Sequence, residues 1–161
     1  MNDFLDDTAG DMPEILSSNQ QVTQDRRTEA RLCAVQAVYQ CLMMPDQPAA
    51  SIKDDFQRHN LVSRKVDKNL FAALFDETLN DKERYQTLVN NHLAESWTFD
   101  RLDIVEQALL LTAAAELSTR PETPHKVILD EYLNLAHAYF EQDKVGFINA
   151  VLDKITKQIR G

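Results

Sequence analysis

Glycine, proline and cysteine are scarce in this chain, which has only three, five and two of them among its 161 residues. So few turn-forming residues exclude a turn-rich sandwich or barrel and a collagen-like chain. Apolar runs are short as well, and none approaches the roughly 20 residues that a membrane-spanning helix needs. The first 25 residues lack the basic and then apolar order of a secretory signal peptide. We therefore expect a soluble, cytoplasmic protein with no membrane partner.

Motifs for catalysis and metal binding are missing too. The sequence has no glycine-rich phosphate loop and no Gly-x-Ser-x-Gly motif. Its four histidines do not pair with one another or with a cysteine at the i, i+4 spacing typical of metal ligands on a helix. Cys33 and Cys41 lie in one predicted helix, roughly 12 Å apart along its axis, which exceeds disulfide reach. We predict no catalytic residue, no metal, no cofactor and two reduced cysteines.

Negative charge is concentrated at the N-terminus. Residues 1–25 contain six acidic residues and no lysine or arginine, within a net charge of −9 for the whole chain. Because this segment has few apolar residues to offset the entropy of ordering, it is predicted to be a disordered acidic tail. A folded domain then covers residues 26–161. The tail is either a solubilising extension or a mobile anion that competes with nucleic acid for a basic patch.

Apolar residues recur at helical spacing through the domain and never alternate as they do in a strand. Asp25 is the expected N-cap of the first helix. Apolar side chains cover nearly every face after Gln107, so the helix there is expected to be central and enclosed. Trp97 and Phe99 precede that helix and are expected to anchor the connection to the core. The pattern predicts an all-α fold with helices over about 26–43, 51–60, 63–80, 81–93, 102–117, 124–139 and 143–159.

Arg26, Arg27 and Arg31 are predicted to lie on the surface near the start of the first helix. Cations at a helix N-terminus oppose the helix dipole, so local energetics do not explain them and a ligand is one explanation. Guanidinium groups match phosphate oxygens and release counterions from nucleic acid, whereas the alternative is a simple solvated face. Glu106 interrupts an apolar stretch, and we interpret it as edging the core or pairing with a base rather than as a catalytic group.

Four segments of the chain resemble the family of the bacterial transcription antitermination factor NusB. Residues 30–39 (ARLCAVQAVY) resemble its opening helix, and residues 101–117 (RLDIVEQALLLTAAAEL) resemble its central helix. Residues 120–131 (RPETPHKVILDE) resemble the entry to the next helix, and residues 147–154 (FINAVLDK) resemble the closing signature. The segments follow in the family's order over nearly all of the predicted domain.

The resemblance implies two three-helix bundles packed crosswise, with about seven helices in all. It also implies a non-enzymatic function, which is to bind boxA-type single-stranded RNA in ribosomal RNA leaders together with the small-subunit ribosomal protein NusE. Other antitermination factors and RNA polymerase would be indirect partners. The main alternative is a protein-only adaptor that keeps the fold and has little RNA affinity of its own. A third possibility is a stand-alone version of the similar domain that is fused to some RNA methyltransferases.

The resemblance also assigns roles to single positions. Partner binding carries over to Tyr39 and Glu106. At Glu29, Leu111 and Gly146 the chain lacks the basic residues that the family commonly has, so we expect weaker phosphate contacts and a greater dependence on the partner. RNA binding carries over to two positions of the first helix and three near the start of the last, with Arg26 added as their neighbour: Arg26, Arg27, Arg31, Asp143, Lys144 and Phe147.

Overall fold

The computed structural model describes residues 19–62 and 65–161. Within these residues the chain forms seven α-helices and no strand, which confirms the predicted all-α fold. A single π-helical turn, Phe56–Asn60, continues α2, and a 3₁₀ turn, Phe99–Arg101, precedes α5. The helices are α1 (Asn19–Met43), α2 (Ala49–Asp55), α3 (Lys68–Asn80), α4 (Lys82–Asn90), α5 (Ile104–Thr119), α6 (His125–Tyr139) and α7 (Gln142–Arg160).

The first helix begins earlier than the sequence predicted. Residues 1–18 of the predicted acidic tail (residues 1–25) lie outside the described residues. The rest of the predicted tail, residues 19–25, belongs to α1. Asp25 therefore lies within α1, and its prediction as the N-cap is wrong. Three glutamines fall in this added stretch. Glutamine is a good helix former, and each residue added to an existing helix gains a hydrogen bond, so the helix extends toward the N-terminus without an apolar stripe.

The described residues divide into two compact units, one that ends at Phe75 and one that comprises Asp76–Gly161. In the first unit α1 packs against α2 and the π-helical turn. The ring of Phe71 stacks against both Phe56 and Phe75, with centroids 6.0 and 6.1 Å apart. Asp67 caps α3 by accepting the Leu70 N–H at 3.0 Å. This cap explains why α3 begins at Lys68 rather than near residue 63, where the sequence had suggested it.

In the second unit α5 packs against α4, α6 and α7. All twelve residues from 106 to 117 are buried, so the predicted enclosed helix is confirmed. The break predicted at Asn80 or Asp81 is also confirmed and falls at Asp81, between the last residue of α3 and the first of α4. Even the carboxylate of Glu116 is buried, and it accepts a hydrogen bond from the Tyr132 hydroxyl at 2.8 Å. Such a partner offsets part of the cost of taking a polar group out of water.

The C-terminal end of α5 is held by a side chain from the end of the chain. The guanidinium of Arg160 donates to the carbonyl of Leu117 from Nε at 3.1 Å and to that of Arg120 from Nη2 at 2.8 Å. A third bond runs from Nη1 to the carbonyl of Thr123 at 2.6 Å. The last carbonyls of a helix have no partner within the helix, so this fork satisfies groups that would otherwise lack one. Sequence periodicity gave no indication of this role.

Replacing Arg160 tests how much this fork stabilises the fold. We expect Arg160→Ala to lower the free energy of unfolding by about 2–3 kcal/mol, since hydrogen bonds to a charged donor contribute about 1.5–3 kcal/mol and do not add fully. Arg160→Lys should recover less than half of the loss, because an ammonium cannot reproduce the planar fork. Urea denaturation followed by circular dichroism measures both values.

Lys157→Ala is the matched control for Arg160. Lys157 is an exposed residue of the same last turns of α7, and its ion pair with Asp153 spans a single helical turn. Such pairs contribute about 0.3–0.5 kcal/mol. If Arg160→Ala unfolded at the same urea concentration as Lys157→Ala, the three carbonyl contacts would not stabilise the end of α5.

Candidate functional site

An open groove of about 570 Å³ lies on the second unit. Its lining comes from the segment before α5, the first turn of α5, the end of α6 and the start of α7. Four of the lining side chains are aromatic, two are basic, four are acidic and one is a leucine. They are Trp97, Tyr139, Phe140, Phe147, Arg101, Lys144, Asp103, Glu106, Glu141, Asp143 and Leu102. The groove thus combines flat apolar surfaces with charges of both signs.

The groove brings together four residues that the sequence had suggested as site residues, namely Glu106, Asp143, Lys144 and Phe147. Asp143 is exposed, whereas Lys144 and Phe147 are half-buried. All three follow Glu141, the N-cap residue of α7, within its first two turns. They come from sequence positions next to one another, whereas Glu106 comes from a different helix, so only the tertiary fold makes them one surface.

The acidic side of the groove is the N-terminal cap of α5. Asp103 is the N-cap residue, and it forms a capping box with Glu106, whose Oε1 accepts the Asp103 N–H at 3.3 Å. In a capping box each side chain satisfies a backbone N–H that the helix itself leaves without a partner. Glu106 is only 2% exposed. The interpretation of Glu106 as a core-edge residue that pairs with a base is therefore confirmed.

The base that pairs with Glu106 is Lys144. Its Nζ lies 2.5 Å from Oδ2 of Asp103 and 3.6 Å from Oε1 of Glu106, so two carboxylates share one ammonium group. The same Nζ lies 5.4 Å from the ring centroid of Phe140, within the range of a cation–π contact. Burial raises the pKa of Glu106, and the charge of Lys144 opposes that rise. The hydrogen bond to Asp103 is the main cause that raises the pKa of Lys144.

The aromatic side of the groove includes a residue that sequence reasoning placed elsewhere. Trp97 is 42% exposed, so the prediction that it anchors its loop to the core is wrong. Phe99 is buried and does serve as the predicted anchor. The Phe99 N–H donates to the Asn90 side chain at 2.9 Å, and its carbonyl accepts from Gln107 at 3.2 Å. Two aromatic residues so close in sequence are equally apolar, and only these backbone contacts decide which one turns inward.

The remaining predicted site residues lie on α1, in the first unit. Arg26 and Arg27 are exposed, as predicted, and Tyr39 is half-buried. Arg31 is only 2% exposed, so its predicted surface position is wrong. Every residue from 30 to 38 is buried, and Arg31 falls within this enclosed stretch, where it has interaction partners. Helical periodicity had identified one buried stripe on α1, but nearly the whole circumference is covered there.

The part of the chain that the structure describes contains no group of three or more His, Cys, Asp or Glu residues that could hold a metal ion. None of its helices is long and apolar enough to span a membrane. Cys33 and Cys41 are thiols and do not form a disulfide.

These features define the class of the protein, which is an all-α scaffold with an open, aromatic and charged groove. The model of the NusB family matches residues 28–157. The chain therefore belongs to the NusB family, whose members are non-enzymatic transcription antitermination factors. This membership confirms both the resemblance drawn from the four segments and the prediction that the chain is not an enzyme.

Curated relatives and solved structures agree with this assignment. The transcription antitermination protein NusB of Rhizobium rhizogenes is 32% identical over 86% of this chain and 91% of its own length. That of Nitrobacter hamburgensis is 36% identical over 84% of this chain and 89% of its own length. T. maritima NusB superposes with a TM-score of 0.72 at 23% identity, covering 84% of this chain and 93% of its own. A chain in a crystal structure of NusB and NusE in complex with dsRNA gives 0.70 at 22% identity, with coverages of 81% and 96%.

The carboxyl group of Glu106 offers a pH-dependent test of the ion-pair arrangement. Because its folded pKa is raised above the ordinary value of 4.5, the folded state binds the proton more tightly than the unfolded state does. The stability of the wild type relative to Glu106→Gln should therefore fall as the pH rises through 4.5 and then through the raised pKa. Glutamine keeps the capping acceptor and cannot ionise. Urea denaturation between pH 4 and 8 measures the difference.

Lys144→Met should raise the pKa of Glu106 further, because it removes the main charge that opposes the rise. NMR titration of the Glu106 side-chain carboxyl carbon measures the shift directly. Lys154→Met, at an exposed position of the same helix, should leave that pKa unchanged. A Glu106 pKa that is the same in all three proteins would contradict the ion pair.

Proposed function

We propose that this chain promotes transcription antitermination by binding boxA-type single-stranded RNA together with the ribosomal protein NusE. The observation that carries the proposal is that Asp143, Lys144 and Phe147, three of the six residues expected to contact RNA, line one groove with exposed aromatic surface. Other antitermination factors and RNA polymerase would be reached indirectly through this complex. A cytoplasmic location is part of the proposal.

The groove is better suited to nucleobases than to phosphates. Unstacked bases of single-stranded RNA stack on aromatic rings and offer their edges for hydrogen bonds, and carboxylates accept such bonds from amino groups. Phe147 supplies a half-buried ring and Asp143 an exposed carboxylate. Four acidic side chains face only two basic side chains in the groove, and one of the two, Lys144, is already paired with two carboxylates. Phosphate contacts are therefore proposed for Arg26 and Arg27, the exposed arginines of α1.

The NusE part of the proposal rests on family membership and on the partner of NusB in a structurally similar complex, that of NusB and NusE with dsRNA. Tyr39 and Glu106 are the residues proposed to take part in NusE binding. Because Glu106 is buried, we propose that it acts by holding Asp103 and Lys144 in position rather than by touching NusE itself.

The experiment that tests the proposal is a titration of fluorescein-labelled boxA-like RNA with the full chain, with and without NusE, followed by anisotropy at several salt concentrations. The affinity of the chain alone should be low at physiological salt and should rise when NusE is added. The double variant Arg26→Ala/Arg27→Ala should bind more weakly. Its slope of log K against log salt should be shallower by roughly 1.4, since each phosphate contact on a single strand contributes about 0.7.

Arg58→Ala/Arg84→Ala is the matched control, because it removes the same charge at two exposed arginines that each pair with a nearby aspartate. It should leave the salt slope near that of the wild type. If both double variants flattened the slope equally, the effect would come from net charge and not from contacts at Arg26 and Arg27.

The protein-only adaptor is the second candidate function. The buried position of Arg31 and the ion pairing of Lys144 favour it, because both take a cation away from RNA. In that case the chain would bind NusE normally, while the RNA would not bind with or without NusE. Circular dichroism and NusE affinity would confirm that the chain used was folded and competent.

A further inference from the structure

We infer that Trp97 is a stacking platform for one unpaired nucleobase at the mouth of the groove, with Phe147 beside it and the Arg101 guanidinium over part of its ring. Neither the sequence analysis nor the family resemblance assigns a binding role to Trp97. The inference rests on the proposed RNA binding and goes further, because it names the residue that receives a base and the state of the base it receives.

The first support is that Trp97 is exposed and yet held in place. Tryptophan has the largest side chain of the common amino acids, and 42% of this residue is exposed to solvent. The backbone around it is fixed: the Trp97 N–H donates to the carbonyl of Ala94 at 2.9 Å, and Arg101 Nη1 donates to the carbonyl of Ser96 at 3.0 Å. An aromatic surface that is positioned before binding loses little conformational entropy when a ligand stacks on it.

The second support is the geometry of the neighbouring groups. The ring centroids of Trp97 and Phe147 lie 6.1 Å apart, with the planes tilted by 51°. Two rings so inclined cannot hold a flat base between them, so the base must lie on the exposed part of the indole. The guanidinium carbon of Arg101 lies over the Trp97 ring, 5.3 Å from its centroid, so a cation covers part of one face and the base stacks on the rest of the exposed indole surface. A strand whose base stacks on Trp97 therefore has a partner for a neighbouring phosphate.

The third support is charge, which decides what kind of ligand fits. Acidic side chains outnumber basic side chains in the groove, so a bare polyanion is disfavoured there. A nucleobase is uncharged, and the amino groups of adenine, cytosine and guanine can donate hydrogen bonds to the exposed carboxylates of Glu141 and Asp143. The bases of a duplex are stacked on one another and do not present their faces to a protein ring. The site therefore fits a base in a single strand and neither a duplex nor phosphate alone.

Trp97 is the only tryptophan of the chain, so its fluorescence reports on this site without a label. Titrating the full chain, with NusE where needed, with single-stranded boxA-like RNA should quench the emission saturably. The midpoint should match the dissociation constant from anisotropy of the labelled RNA. Inorganic polyphosphate, and the same RNA annealed to its complement, should cause little quenching at equal phosphate concentration.

Substitutions provide the second readout. Trp97→Ala should weaken RNA binding by about 5- to 160-fold in anisotropy, since stacking of a base on an aromatic side chain contributes about 1–3 kcal/mol. Trp97→Phe keeps an aromatic face and should bind within about threefold of the wild type, which also guards against misfolding of the alanine variant. Val127→Ala removes another exposed apolar side chain, one that does not line the groove, and should bind as the wild type does.

The outcomes separate the inference from the proposed function. If labelled RNA fails to bind the wild type with or without NusE, the proposed function is wrong and the inference falls with it. If RNA binds but Trp97 emission does not change and Trp97→Ala binds as tightly, the function stands and the inference is overturned. Equal quenching by polyphosphate or by the duplex would also overturn the inference. So would quenching by NusE alone that RNA does not alter, because the groove would then be a protein-binding surface.

Discussion

The burial of α5 on every side is the constraint on which the second unit depends. A helix enclosed over residues 106–117 contributes apolar surface to three neighbouring helices, but its ends expose backbone groups that the helix cannot satisfy. Water reaches such groups at the ends of a surface helix, whereas here side chains take its place. Asp103 and Glu106 do so at the N-terminal end, and Arg160 does so at the C-terminal end. Side chains thus satisfy backbone groups at both ends of α5.

The groove follows from the way the N-terminal end of α5 is capped. The capping box buries Glu106, and Lys144 at the start of α7 places a cation 3.6 Å from its carboxylate. This ion pair brings the first turns of α5 and α7 together and leaves aromatic residues along the opening between them. The same lysine is then less available to a phosphate. This ion pair therefore holds the two sides of the groove together. It also makes the groove less suited to a polyanion and more suited to nucleobases with hydrogen-bonding edges.

Membership of the NusB family fits this arrangement. The family model matches residues 28–157, which include every residue that lines the groove. Arginines are present at three positions near the start of the domain, but Arg31 is buried and only Arg26 and Arg27 remain exposed. A chain with fewer exposed cations has less non-specific attraction to RNA. Its proposed recognition consequently relies more on stacking and on NusE.

The sequence by itself determined the local features of this protein. Apolar periodicity identified the helices, the enclosed character of α5 and the break at Asn80 and Asp81, because these depend on residues within a few turns of one another. The family segments placed Asp143, Lys144 and Phe147 correctly near the start of the last helix. Three arginines were expected to be exposed, and two of them, Arg26 and Arg27, are exposed. Each of these features can be identified from the residues along one stretch of the chain.

Only the tertiary structure decided the features that join distant residues. Arg160 reaches carbonyls about 40 residues earlier in the chain, and Lys144 pairs with Asp103 across 41 residues. The inward turn of Phe99, the outward position of Trp97 and the burial of Arg31 depend on what packs around each side chain. Periodicity shows which face of a helix is apolar, but it does not show how much of the circumference becomes covered. Burial and long-range hydrogen bonds are properties of the assembled fold, so they are absent from any local pattern.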